Sequence, residues 1–338
     1  MEQAAILLAE LKQAGENVKI VITTHHKPDG DAMGSSLGLH LFLKAAGIPS
    51  QVLTPTDYPA FLSWMKGNES VIIYEGNEVV GNKLIAEANY IFCLDFNNLS
   101  RINEMGERVK ESTAKLILVD HHQLPQKFEH LSFWDPKASS TCELIFRLID
   151  KSGLKNLMNK EIASCLYTGI MTDTGSFKFS NCTAETHKIA AELISLGVDH
   201  VDIQERLFDS FTENRVRFIG YALSKKLEIM RSYNTALITI TSDELKEYES
   251  QTGDTEGLVN FGLGVNGIRL AVLIIDRGKL VKMSFRSKGT FNVNEFARLH
   301  FNGGGHINAA GGSSTETLEE TVARFKKVLP LHIKELTS

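Results

Sequence analysis

Four short stretches of this sequence combine carboxylates with imidazoles. HHKPDGD brings His25, His26, Asp29 and Asp31; CLDFNN brings Asp95; Asp120, His121 and His122 are consecutive; and GIMTDTG brings Asp173. Each has an ordinary explanation on its own, because an Asp after a strand commonly caps the next helix and a His pair often sits on a solvated loop. Jointly the ordinary explanations weaken, since carboxylates crowded together repel one another unless protonated or bridged by cations. Mixed carboxylate and imidazole ligands suit Mn²⁺, Zn²⁺ or Fe²⁺ better than Ca²⁺, which prefers oxygen alone. Even four of these aspartates with two of the histidines exceed what one ion needs and match two. Two ions roughly 3.5–4 Å apart can clamp a phosphate and bring the pKa of a bound water toward neutrality.

Such a cluster needs a rigid edge to stand on. Strand-like runs VKIVITT (18–24), SQVLT (50–54), SVIIYE (70–75), YIFCLDF (90–96) and KLILVDHH (115–122) alternate with helical stretches at 33–46, 78–88 and 102–111. Near-continuous apolar strands separated by helices predict an α/β domain with a doubly wound, mostly parallel sheet covered on both faces. Three of the four polar clusters then fall beyond the carboxyl ends of strands, where such sheets bind ligands. Gly30, Gly34 and Gly38 are expected to allow close backbone approach, and the helix start to offer N–H groups to an anion. Helices follow between 138 and 197, the first with a capping box at Ser140-x-x-Glu143. A helical stretch at 211–230 leads to a smaller α+β region, where Arg277-Gly278 separates two alternating runs as a hairpin would. The expected organisation is a catalytic domain over 1–190, a helical linker over 191–231 and a second domain over 232–338 across a cleft.

The chain has 338 residues with 43% hydrophobic and 23% charged, enough for two sizeable cores. A net charge of −5 argues against a broad surface for long nucleic acid, leaving short or small anions as partners. Cys93, Cys142, Cys165 and Cys182 show no C-x-x-C spacing and read as thiols of a reducing compartment. MEQAAILLAELKQAGENVK reads as an amphipathic helix rather than a signal peptide, and no apolar run reaches the roughly 18 residues of a membrane span. A cytoplasmic location away from membranes is expected, and a homodimer is compatible with the sequence.

In order and spacing, HHKPDGDAMGSS, CLDFNNLSRI, LVDHHQ and GIMTDTGSF resemble the four motifs of the DHH phosphoesterase superfamily. FNGGGHINAAGG (301–312) resembles the glycine-rich signature of its accessory DHHA1 domain. Length and domain order are similar to members that combine oligoribonuclease and 3′-phosphoadenosine 5′-phosphate phosphatase activities. The resemblance implies one Mn²⁺ held by His25, Asp29 and Asp95, and a second by Asp31, Asp95, His121 and Asp173, with Asp95 bridging. It implies His122 against the scissile phosphate and Asp120 orienting a ligand histidine. The matching phosphate or nucleotide contacts are Arg101, Ser139, Ser140, Arg286, Ser287, Gly303, Gly304, Gly305 and His306. One departure stands beside Asp95, where Phe96-Asn97 replaces the small or hydroxylated residue usual in relatives.

The activity so implied is a two-metal-activated hydroxide attacking phosphorus in short oligoribonucleotides or small phosphorylated nucleotides. A cyclic- or linear-dinucleotide phosphodiesterase would use the same centre and is the alternative. Inorganic pyrophosphatases of this superfamily carry a different second domain, and long-strand exonucleases carry additional ones. A nucleotide sensor with a spent site should have lost ligands, and here none is missing.

Overall fold

The computed structural model describes residues 2–337. Its contacts divide the chain into two units between Ser210 and Phe211. Of residues 191–231, those through Ser210 pack with the first unit and the remainder with the second.

The first unit opens with α1 (Glu2–Ala14), β1 (Ile20–Thr24), α2 (Gly30–Ala45), β2 (Ser50–Thr54) and β3 (Ile72–Ile73). It continues with α3 (Glu78–Glu87), β4 (Tyr90–Leu94), α4 (Met105–Glu111), β5 (Lys115–Asp120) and β6 (Leu131–Trp134). Four helices complete it: α5 (Thr141–Lys151), α6 (Lys160–Asp173), α7 (Ala184–Ser195) and α8 (His200–Phe208). The strands form one parallel sheet in the order β3-β2-β1-β4-β5-β6, which reverses direction between β1 and β4. Successive strand residues feed opposite cores. Ile20, Ile22, Phe92, Leu94, Ile117 and Val119 pack under α1, α2, α5 and α6. Val21, Ile91, Cys93, Leu116 and Leu118 pack with α3 and α4.

Several element boundaries differ from the sequence reading. The helix expected over 102–111 begins only at Met105, because Asn103 takes φ 52 and interrupts the chain after a short turn at Leu99–Ile102. The strand expected over 70–75 keeps two residues. Strand β6, short and half-exposed at the sheet edge, has too little apolar pattern to be foreseen.

The close approach expected at the three glycines of α2 is made to α6. A Cβ on Gly30 would stand 2.5 Å from the Thr172 side chain, and one on Gly34 2.5 Å from the Cys165 carbonyl, so they let α2 press against α6. Two of the first N–H groups of α2 are taken by its cap, since Asp29 Oδ1 accepts from Asp31 N at 3.0 Å and Ala32 N at 3.1 Å.

The second unit comprises α9 (Glu213–Tyr221), β7 (Leu227–Met230), β8 (Thr235–Ile240), α10 (Ser242–Glu247), α11 (Leu258–Gly264), β9 (Leu270–Asp276) and β10 (Val281–Ser287). Then come α12 (Val293–His300), β11 (Gly304–Gly305), β12 (Ala309–Ser314), α13 (Leu318–Val328) and α14 (Ile333–Thr337). Its sheet runs β11-β12-β10-β9-β8-β7, with β8 and β9 parallel and the other pairs antiparallel. The expected β9–β10 hairpin forms, with Gly278 at φ 81. The helix expected over 211–230 runs as α9 from Glu213 to Tyr221 and continues as a π-helical turn over Ala222–Lys226. Its last residues become β7, where pairing with Ala236 and Ile238 of β8 outweighs their helical propensity.

Candidate metal centre

The register of the first sheet places the chemistry in one row. Thr24 of β1 lies beside Leu94 of β4, which lies beside Val119 of β5. The residues that follow, His25, Asp95 and Asp120, therefore emerge level at the carboxyl edge, at the point where the strand order reverses. Binding sites of open α/β sheets form there because the loops on the two sides diverge and leave a crevice. Helix α2, starting just after β1, brings Asp31, and the close α2–α6 crossing brings Asp173 from the last residue of α6. Asp95 itself sits at φ 63, a conformation that costs a non-glycine residue energy.

The side chains converge. His25 Nε2 lies 3.4 Å from Asp95 Oδ2 and 3.8 Å from Asp29 Oδ2. His121 Nε2 lies 3.2 Å from Asp173 Oδ2, 3.5 Å from Asp95 Oδ1 and 3.8 Å from Asp31 Oδ2. The two oxygens of Asp95 thus face two different groups, His25 with Asp29 on one side and His121 with Asp31 and Asp173 on the other. His122 Nδ1 is 2.8 Å from Asp120 Oδ1 and 3.6 Å from Asp95 Oδ1, so Asp120 orients His122 and not, as expected, a ligand histidine. His26 turns elsewhere: its ring Nδ1 and its backbone N–H each meet the Arg101 carbonyl at 2.8 Å, leaving His25 as the histidine of this pair that enters the cluster.

Backbone carbonyls fix the tautomers. His25 Nδ1 is 2.9 Å from the His26 carbonyl and His121 Nδ1 is 3.2 Å from the Ala138 carbonyl. A carbonyl only accepts, so Nδ1–H donates and Nε2 is the nitrogen turned to the carboxylates. That arrangement is how ligand histidines are ordinarily prepared. Burial and the facing Asp95 and Asp173 carboxylates push the Asp31 carboxyl well above the usual range. Burial opposes charge on Asp95, yet His121 and His25 outweigh it and hold that carboxyl well below the usual range. For His121, burial is outweighed by Asp95, Asp173 and Asp31, and its pKa rises well above that of free imidazole. His25 is raised by Asp95 and Asp29 against burial and the Arg101 guanidinium. His122 goes the other way, lowered by burial and Arg101. Carboxylates that repel at Asp31 and imidazoles that attract protons are what a cluster of ligands looks like when the balancing charge is protons. The donor set of carboxylate oxygens and two Nε2 atoms fits divalent cations.

Residues that the sequence reading did not single out hold the cluster in place. Thr141 N–H donates to Asp31 Oδ2 at 2.7 Å and Cys142 N–H to Asp31 Oδ1 at 2.9 Å, so the start of α5 grips that carboxylate by both oxygens. The Thr141 hydroxyl donates to Asp95 Oδ1 at 2.9 Å. Ser140 Oγ accepts from Glu143 N at 3.0 Å, which is half of the expected capping box. The buried Glu143 carboxylate turns instead to Ser139, to Thr186 Oγ1 at 3.0 Å and to Arg147. The helix start after SST was visible in the sequence; which carboxylates it would meet was not.

Both hydroxyls of Ser139 and Ser140 are thus fully buried and engaged in fixing α5. Arg101 stands in the turn before α4, near enough to His25 and His122 to depress both. In the second unit, Arg286 and Ser287 end β10, with Ser287 Oγ donating to the Phe291 carbonyl at 2.7 Å. Gly303 and Gly305 make a close backbone crossing, where a Cβ on Gly303 would stand 2.1 Å from the Gly311 carbonyl. Their N–H groups donate to the Ala297 carbonyl and to Asn294 Oδ1, so these two donors serve the fold. Gly304 pairs with Gly311, and His306 closes a tight turn with Ala309.

This sheet, with its carboxylate and imidazole row at the switch point, defines an α/β protein built to bind cations at a strand edge. The chain belongs to the DHH family: the family's N-terminal domain matches residues 19–170, and the DHHA1 domain matches residues 237–335. It is 34% identical to the bifunctional oligoribonuclease and PAP phosphatase NrnA of Thermus thermophilus, over 98% of this chain and 94% of that one. The protein of the same name from Bacillus subtilis is 30% identical over 87% of this chain and 88% of its own length. Among solved structures, an exopolyphosphatase-related protein from Bacteroides fragilis superposes with a TM-score of 0.93 at 38% identity, covering 100% of this chain and 98% of that one.

Proposed function

We propose that the chain is a phosphohydrolase that cuts short oligoribonucleotides to mononucleotides and removes the 3′-phosphate of 3′-phosphoadenosine 5′-phosphate. The observation that carries this reading is the Asp95 carboxylate, with one oxygen toward His25 and the other toward His121. In this reading His25, Asp29 and Asp95 would hold one divalent cation and Asp31, His121, Asp173 and Asp95 a second, both Mn²⁺. Cations held there would supply positive charge to phosphate oxygens and acidify water. With Nδ1–H given to Asp120, neutral His122 offers Nε2 as a proton acceptor, and the Asp120 carboxylate steadies the imidazolium once a proton is held. Arg101 pairs with a substrate phosphate, and Ser139 and Ser140 contribute by locking α5. The DHHA1 residues Arg286, Ser287, Gly304 and His306 contact nucleotide, and the chain works in the cytoplasm.

The test is product analysis with added Mn²⁺ on oligoribonucleotides of two to five residues, 3′-phosphoadenosine 5′-phosphate and a cyclic dinucleotide. Mononucleotides from the oligomers and phosphate from the bisphosphate are expected. Turnover of the cyclic dinucleotide alone would replace this reading with a cyclic phosphodiesterase. Nucleotide binding without products would replace it with a sensor.

A further inference from the structure

We infer that Thr141 is the positioning residue that sets the rotation of the shared Asp95 carboxylate; the inference rests on the two-cation reading above. Helix α5 already has its cap, since Ser140 Oγ accepts from Glu143 N. The Thr141 hydroxyl is therefore not needed to start the helix. It is fully buried and donates to Asp95 Oδ1 at 2.9 Å, while the N–H of the same residue donates to Asp31 Oδ2 at 2.7 Å. One residue thus ties together carboxylates from two chain segments, the first turn of α2 and the end of β4.

The consequence for Asp95 follows from geometry. A carboxylate at the end of a strand turns freely about its last bond unless one oxygen is claimed. Thr141 claims Oδ1, the oxygen that faces His121, and Oδ2 is then left toward His25. A hydroxyl donor uses one lone-pair direction of Oδ1 and leaves another for a cation. Rigidity comes from behind, because Glu143 binds the Ser139 hydroxyl and Thr186 of α7 and so pins the segment that carries Thr141.

The experiment compares wild-type protein with Thr141→Val, which keeps shape and N–H but loses the hydroxyl, and Thr141→Ser, which keeps the hydroxyl. Mn²⁺ is titrated calorimetrically into each metal-free protein, and melting temperatures of the metal-free forms are recorded alongside. Partners that orient metal ligands typically alter metal affinity by about ten- to hundredfold when removed. Thr141→Val is expected to lose Mn²⁺ affinity on that scale while its metal-free form still melts cooperatively, with Thr141→Ser close to wild type. Should Thr141→Val not fold, Thr141→Cys keeps the volume with a much weaker donor and is read in the same way. Wild-type Mn²⁺ affinity in Thr141→Val would overturn the inference, as would a loss in Thr141→Ser equal to that in Thr141→Val. Failure of the wild-type protein to take up Mn²⁺ would instead strike the two-cation reading itself.

Discussion

Gly169 leaves the space of its missing side chain to Asp31: a Cβ there would stand 2.7 Å from Asp31 Oδ1 and 2.2 Å from Cys142 Sγ. The crossing of α2 and α6 and the placement of two candidate ligands, Asp31 and Asp173, are therefore one structural fact. Gly169→Ala should cost about 1–3 kcal/mol through overpacking. It should also reduce hydrolysis, because α6 must retreat and carry Asp173 with it. Thermal melting and the rate at saturating Mn²⁺ check this together; a variant with wild-type stability and rate would show that the contact does not constrain the centre.

His122 separates chemistry from metal holding. It lies on Asp120 and beside Asp95, and it contributes neither of the two Nε2 atoms assigned to cations. His122→Ala should lower kcat by about 10²–10⁴, the usual range for a lost acid–base group. Mn²⁺ uptake measured by calorimetry should stay near wild type. Loss of uptake in parallel with rate would make His122 a ligand instead.

Asp31 and His121 both make stability fall as pH rises. Both have raised pKa values in the folded protein, so the folded state holds protons that the unfolded chain releases. The stability that Asp31 contributes is fully present below about pH 4 and is lost as pH rises through its raised value; that from His121 is present below about 6.5 and lost above. Asp95, held low, contributes the opposite trend, lost only as pH falls through its depressed value. These two groups should therefore make the metal-free protein less stable as pH climbs from about 4 past neutrality, against an opposing contribution from His122, whose pKa is lowered. Mn²⁺ should restore that stability and release protons on binding. Melting curves with and without Mn²⁺, and calorimetry in buffers of different ionisation enthalpy, measure both. Uptake without proton release would contradict the assignment of these groups as ligands.

Much of this centre was legible in the sequence for a simple physical reason. Parallel strands buried on both faces read as apolar runs, and a buried run that ends in His25, Asp95 or Asp120 marks its own carboxyl edge. What local pattern could not supply was the partner of each group across the fold. Thr141 looks like any residue of a helix start until Asp31 and Asp95 are placed over it. Gly30 and Gly34 promise a close backbone approach without saying to what, until α6 is packed on them. The same holds for 227–230, where a helical-looking end of a segment becomes a strand because β8 offers it a ladder.

In the second unit, Asn294 is the support of the glycine crossing. Its side-chain oxygen accepts from Gly305 N at 3.1 Å, and the residue is only 3% exposed. Asn294→Ala leaves that N–H without its acceptor, at a cost of about 1–3 kcal/mol. If Gly304 and His306 hold nucleotide, KM for short oligoribonucleotides should rise more than kcat falls. Steady-state kinetics decides the matter, and an unchanged KM would remove this loop from the substrate site.

The most direct measurement is an anomalous difference map from crystals grown with Mn²⁺. Two peaks roughly 3.5–4 Å apart are predicted, one beside His25 and Asp29 and the other beside Asp31, His121 and Asp173, with Asp95 touching both. A single peak, or two peaks that do not share Asp95, would contradict the account.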